Sequence, residues 1–192
     1  MLRQQQQPQQ PDIDMKGAFN FFYLVFAGLA TTVTTFTRRD FGKEALGVAG
    51  LAGFVFILVY GAVMNVPEMI IYLGVWMVSV LVQRARQFRM WLDKRIVHSR
   101  YGGYPWLGYR LNPKARTELK AKEVEVLFVI VAGGLLTQVS LGVGLYVVLA
   151  GVAAVFVECL HVETRKKQLQ DLSDAEIEQR ALADDYQQYR RF

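Results

Sequence analysis

Two long apolar runs constrain this chain more than anything else in it. Between Ala45 and Val82 the only charged residue is Glu68, and from Val126 through Val157 there is none. A helix crossing a hydrocarbon core of about 30 Å needs about 20 residues at about 1.5 Å each. A soluble core helix is seldom apolar on every face for that long. The expectation is an all-α, polytopic integral membrane protein rather than a soluble bundle. The hydrophobic content, 53% of 192 residues, is high for a soluble domain and agrees.

The first apolar segment, Gly17 to Thr37, ends at Arg38-Arg39-Asp40. Its closing threonines, Thr31, Thr32, Thr34, Thr35 and Thr37, can return their hydroxyls to carbonyls one turn back, which suits lipid. Met15-Lys16 ahead of the run gives it the outline of a signal sequence. The small residues before the Arg pair form no A-x-A cleavage site, so an uncleaved anchor is expected. Residues 1–15 are rich in Gln and Pro, have little to bury, and read as disordered.

The second run, residues 45–82, would make a single helix of about 57 Å, too long for one crossing. It must double back, and Asn65-Val66-Pro67-Glu68 is the place: Asn65 is expected to cap, with Pro67 in a first turn that needs no amide donor. That predicts spans over 45–64 and 66–82. The third run, 124–160, needs the same fold-back around Gln138 to Gly144, and either crosses twice or dips into the bilayer and returns.

Lys and Arg near membrane ends mark the cytoplasmic side. Residues 83–122 hold eleven of them against Asp93 and Glu118, a net +9 in a chain of net +5. Arg38, Arg39 and Lys43 precede the second run, Arg165, Lys166 and Lys167 follow the third, and the turns at 65–68 and 138–144 have no basic residue. Folding both runs as hairpins keeps every basic cluster on one side. The predicted topology is five spans, one N-terminal span plus two helical hairpins. The N-terminus lies outside and the C-terminus in the cytoplasm, in a membrane read as the bacterial cytoplasmic one. Arg3 and Lys16 mildly oppose that orientation.

The segment after the third span supplies the candidate interface. In QRARQFRMWLDKRIV an apolar face of Ala85, Phe88, Trp91, Leu92 and Ile96 is set against Arg84, Arg86, Arg89, Lys94 and Arg95, an amphipathic helix suited to the headgroup boundary. Its basic residues are expected to meet anionic headgroups, each worth about 1 kcal/mol near such a surface. The glycines and prolines between His98 and Pro113 predict an irregular loop. Arg100, Tyr101, Tyr104, Trp106, Tyr109 and Arg110 in it form either an aromatic belt against the bilayer or a docking surface for another subunit. Nucleic acid is the weaker partner class, because basic cytoplasmic loops occur in any membrane protein.

Small residues recur at helical spacing in ALGVAGLAG, where Ala45, Ala49 and Gly53 are joined by Gly47 and Gly50, and again at Ala150 and Ala154. Such faces let helices approach closely in lipid, within the monomer or between the subunits of a homo- or hetero-oligomer. Chemistry is sparsely represented. Glu158 and His161 stand i, i+3, but a di-iron bundle needs a second such pair and the chain has only two histidines. Cys159, the only cysteine, reads as a small apolar residue or an acylation site. No phosphate loop or hydrolase motif appears, no cofactor is expected, and no charged group stands deep in a span as a proton relay requires. After His161 the chain becomes hydrophilic; a capping box at Ser173 and Glu176 predicts a C-terminal helix to about Tyr189, solvated or docked on a partner. The combination predicts a non-enzymatic subunit of a larger membrane assembly, such as a secretion, conjugation or envelope machine. It would hold soluble components through its basic loop and tail; an oligomeric pore or small-solute transporter is the alternative.

Overall fold

The computed structural model describes residues 15–42, 44–94, 99 and 101–190. Arg95 and Arg100, predicted at the interface, lie outside the described residues, as do Lys43, Ile96, His98 and the Gln/Pro-rich segment apart from Met15. The described chain is all-helical, with α1 (Met15–Thr37), α2 (Val48–Val63), α3 (Glu68–Leu92), α4 (Trp106–Leu111), α5 (Glu118–Leu136) and α6 (Leu141–Tyr189). Among these residues there is no strand, and one isolated antiparallel bridge joins Arg39 to Tyr104. By length and composition α1, α3 and α6 can each cross a membrane; α2 is apolar but only 16 residues long.

α1 is the central element, packed on α2, α3 and α6. Its residues enter the core in layers: Ala30 meets Val126, Ala154 and Val157, and Val33 meets Val129, Val147 and Ala150. A third layer, Ile57, Met69, Trp76 and Tyr146, joins α2, α3 and α6. The outward faces are equally apolar. Leu51 and Leu58 on α2, Ile70, Val75 and Val78 on α3, and Leu127, Val131 and Leu135 on α5 are all exposed. Contiguous exposed apolar surface on this scale marks contact with a membrane or another protein.

The hairpin turns fall where the sequence puts them, by different means. α2 and α3 turn over Met64 to Pro67, but Asn65 does not cap; it takes the left-handed conformation, φ +50°, and α3 starts behind Pro67 with no side-chain cap. α5 and α6 turn over Thr137 to Ser140. The two turns meet: the Tyr60 hydroxyl donates to the Gly142 carbonyl at 3.0 Å, and Val66 packs against Gly142. The threonine end of α1 behaves as expected at two positions: Thr31 donates to Ala27 O at 2.6 Å and Thr32 to Leu29 O at 2.7 Å.

Two expectations are corrected. The segment predicted as wholly irregular contains α4, for which Pro105 supplies a start that needs no donor. The C-terminal helix does not begin at Ser173. α6 runs 49 residues without a break, because nothing between His161 and Leu172 is Gly or Pro and most of it favours helix; Ser173 therefore sits mid-helix and caps nothing.

Of the small-residue stripe, Gly53 carries the closest approach. A Cβ there would stand 2.9 Å from the Gly28 carbonyl and 3.0 Å from the Thr32 methyl, so only glycine lets α2 lie on α1 here. Ala150 and Ala154 are fully buried against α1 and α5. Ala45, Gly47 and Ala49 border a cavity instead, and a Cβ on Gly50 would meet nothing within 4 Å. Gly53→Ala is expected to destabilise by about 1–3 kcal/mol through overpacking. Gly50→Ala is expected to stabilise by about 0.5–1 kcal/mol, the ordinary gain of Ala over Gly in a helix. Equilibrium unfolding in detergent reads both, and equal effects at the two positions would refute the assigned crossing.

Candidate functional site

Among the described residues the buried charge gathers at one place. Arg38 follows α1 directly, so its side chain leaves the helix end and turns into the space between α5 and α6. Its Nε donates to Glu125 Oε1 at 2.6 Å, and its Nη1 donates to Glu158 Oε1 at 2.6 Å and to the Gly102 carbonyl at 3.3 Å. Thr37 Oγ1 donates to the same Glu125 oxygen at 2.9 Å. Arg38 is 4% exposed and Glu125 not at all. Lys122, one turn before Glu125, stands 3.0 Å from Glu118 and 3.8 Å from Glu158 Oε2. Arg38 Nη2 and Glu125 Oε2 are buried without partners, and these are the two atoms that the second leg of a side-on guanidinium–carboxylate fork joins.

These charges stand at the borders of the apolar runs, but their burial and mutual pairing do not show in the sequence pattern. Glu158 and His161, set aside in the sequence as a metal pair, engage other partners. Glu158 is held by Arg38 and Lys122, and His161 Nε2 pairs with the Tyr23 hydroxyl at 3.0 Å. Among the described residues no group of three His, Cys, Asp or Glu stands where it could hold a metal.

The aromatic loop hangs from the same cluster. Arg39 and Tyr104 exchange backbone hydrogen bonds at 3.0 and 2.6 Å, and the Arg39 guanidinium lies 4.1 Å above the Trp106 ring. Gly103, φ +87°, lies so close that a Cβ would stand 3.0 Å from Arg38 Cβ and 3.1 Å from the Phe41 ring. Glycine is required there on both counts. Gly108 of α4 rests on the Ala121 carbonyl of α5, where a Cβ would collide with backbone. Tyr101 donates to Glu118 at 3.1 Å, with Lys122 5.7 Å from its ring. Burial first, and the Glu118 carboxylate second, push the Tyr101 hydroxyl above its usual value, so it stays a protonated donor.

The predicted interface residues thus divide. Tyr101 and Trp106 are half-buried in the clasp, and Tyr104 stacks on Tyr109 with ring centroids 5.3 Å apart. Arg89, Lys94 and Arg110 are exposed, and Arg86 is half-buried. Over the last turns of α3, from Gln83 on, the inward contacts are polar. Gln83 donates to the Thr35 and Arg38 carbonyls at 3.0 and 2.7 Å, Gln87 to the Phe41 and Gly42 carbonyls at 3.2 and 2.9 Å, and Arg84 to the Leu46 carbonyl at 3.2 Å. Phe88 and Trp91 point outward, 61% and 59% exposed. Glutamines that staple a turn to a helix were missed in the sequence; their spacing of four, which puts both on one side of α3, is the signal that could have shown them.

Between α1, the start of α2 and α6 lies a cavity of about 630 Å³, bordered by Tyr23, Arg38, Ala45, Ala154, Glu158 and His161 among others. Comparison of the chain with known protein families, characterised proteins and solved structures found no match.

Removing Arg38 leaves Glu125 without a cation and Glu158 with Lys122 alone. Arg38→Met is expected to cost about 3–5 kcal/mol. Adding Glu125→Gln and Glu158→Gln should recover most of that loss, and the absence of recovery in unfolding titrations would show the cluster is not a coupled unit. Gly108→Ala is expected to lift α4 off α5 and speed trypsin cleavage after Arg110 relative to cleavage in the distal part of α6. An unchanged ratio would contradict the clasp.

Proposed function

We propose that the chain is a non-enzymatic helical subunit of a larger membrane complex, docking soluble components through its basic aromatic segment and its C-terminal helix. The observation that carries this reading is α6. Its first half lies in the bundle and is tied to Arg38, and it then continues unbroken until every described side chain from Glu163 to Gln187 is exposed. A stiff rod of about 37 Å beyond the bundle suits a handle for other proteins rather than a reaction site. The exposed Phe88 and Trp91, with Arg84 and Arg89 beside them, suit anionic headgroups or a neighbouring subunit.

The proposed topology remains five crossings, N-terminus outside and C-terminus in the cytoplasm, in a bacterial inner membrane. Two contacts support it. The 64–67 turn and the start of α6 meet at Gly142, while Arg38, Gly102, Glu125 and Glu158 meet at the cluster, so turns gather at one end and basic flanks at the other. The apolar part of α5, Val126 to Leu136, is only about 16 Å long. A crossing by α5 therefore takes Glu125 and Arg38 below the bilayer surface, where protein burial and mutual pairing make charge tolerable. The competing pore or transporter reading has the cavity beside Arg38 and Glu158 in its favour; solute flux into liposomes containing this chain alone tests it.

In a Cys159→Ala background, cysteines at Val66 and Val139 are expected to react with an impermeant thiol reagent from outside the cell, and cysteines at Tyr104 and Lys167 only after permeabilisation. Mild detergent extraction should give a particle larger than the monomer that contains other proteins. A lone monomer, or Tyr104 and Lys167 on opposite sides, would defeat the proposal.

A further inference from the structure

Beyond His161 the side chains of α6 leave the bundle. Leu172, Leu182 and Tyr186 are 67%, 68% and 69% exposed, and the ion pairs there, Lys166 with Glu163 and Arg180 with Glu176, are internal to the helix. A helix in water draws most of its stability from burying an apolar face against something else. Leu172, Ala175, Leu182, Tyr186 and Tyr189, with the polar Gln179 completing the row, follow one another at spacings of three, four, three, four and three, while Ile177 stands off it; this is the recurrence that keeps one seam turned toward a partner helix.

Charge says which partner. Asp171, Glu178 and Asp185 each precede a seam residue and stand one heptad apart, and Asp174 lies on the same flank. Residues 168–189 hold six acidic residues and a single base, Arg180, a net −5 in a chain of net +5. Two copies rising from the same side of a membrane can pair along this seam only in parallel. Asp171 of one would then face Glu176 of the other, with two seam segments, residues 168–189, each of net −5, brought together. An occupant with Lys or Arg beside its own apolar stripe meets the acidic row with opposite charge.

We propose that the distal half of α6 is a docking helix for a basic amphipathic helix of a soluble protein, whose apolar stripe covers the Leu172 to Tyr189 seam and whose basic flank meets Asp171, Asp174, Glu178 and Asp185. This rests on the reading of the chain as a docking subunit and names the partner's chemistry.

The test places the full chain in phosphatidylcholine nanodiscs, which offer a basic probe no anionic surface. A fluorescent three-heptad peptide with Leu at its seam and Lys on its flanks is titrated by anisotropy, beside a counterpart with Glu on the flanks. The Lys peptide should bind one to one, more weakly at higher salt, and the Glu peptide should not. Leu182→Ser should weaken binding about tenfold or more, and so should the joint change Asp171→Asn, Asp174→Asn, Glu178→Gln, Asp185→Asn. Both variants should keep the helical circular dichroism of the parent.

Equal binding of the two peptides, no binding of either, or indifference to the variants would overturn the inference. So would efficient disulfide formation between copies carrying Leu182→Cys with Cys159→Ala, which would put a second copy on this face. If native partners copurify equally with the four-acid variant, the docking-subunit reading stands and this inference falls. If none copurifies with the parent chain either, the reading itself falls.

Discussion

Arg38 is the contact on which the rest of the arrangement depends. Its guanidinium reaches a carboxylate on α5, a carboxylate on α6 and a carbonyl of the loop, from a position one residue past α1. A buried ion pair gains little net stability over apolar residues of the same shape, because dehydrating each charge offsets much of the attraction. Its effect is on register. A one-turn slip of α5 on α6 would bring residues with a Cβ into the tight places now held by Gly133 and Gly151. The same slip would strand Glu125, which is wholly buried, without its cation. Apolar layers supply the drive to associate, and the close glycine contacts and the charge cluster together select one alignment.

The cluster also accounts for the composition of the Tyr101 to Pro113 segment. A loop that brings its Gly102 carbonyl to a buried guanidinium must pass within van der Waals distance of Arg38 and Phe41. Gly103, at positive φ, allows that passage. Pro105 then starts α4, and Gly108 lets α4 lie on the backbone of α5. Arg39, paired with Tyr104 and Trp106, closes the clasp from outside. Gln83 and Gln87 fix the opposite side of the turn after α1 by donating to its carbonyls. The glycines and aromatics that look like ornament on a membrane loop are largely the parts of this one junction.

The helices were legible in the sequence because hydrophobic run length is a local property. Gly17 to Thr37, the turn near Pro67 and the turn before Leu141 all stand within a few residues of expectation. The site was not legible, because it is built from residues at the borders of those runs. Basic charge at a border reads as a flank marking the cytoplasmic side, which Arg38 and Lys122 each satisfy alone, and Glu158 reads as an acid reaching the interface at a span end. That Arg38 pairs with carboxylates 87 and 120 residues away depends on how α1 lies against α5 and α6, which no local pattern states. The Ser173 to Glu176 box misled for the converse reason. It is a local signal that works only where a helix begins, and the residues before it do not stop one.

One helix carries both the cluster and the exposed seam, and this couples them. A continuous α-helix transmits its azimuth at about 100° per residue, so the pairing of Glu158 with Arg38 fixes the direction of every side chain further along α6. Leu172 comes 14 residues after Glu158, close to four full turns. The seam therefore begins on the side of α6 that, within the bundle, faces Arg38. Because the heptad spacing falls slightly short of two helical turns, the stripe drifts slowly around the rod as it rises, as in helices that wrap a partner with left-handed supercoiling. A glycine or proline between His161 and Leu172 would have severed this relation by letting the outer half swivel. Their absence fixes the azimuth of the seam relative to the bundle, so a partner on that face, as proposed, would be held at a set angle to it.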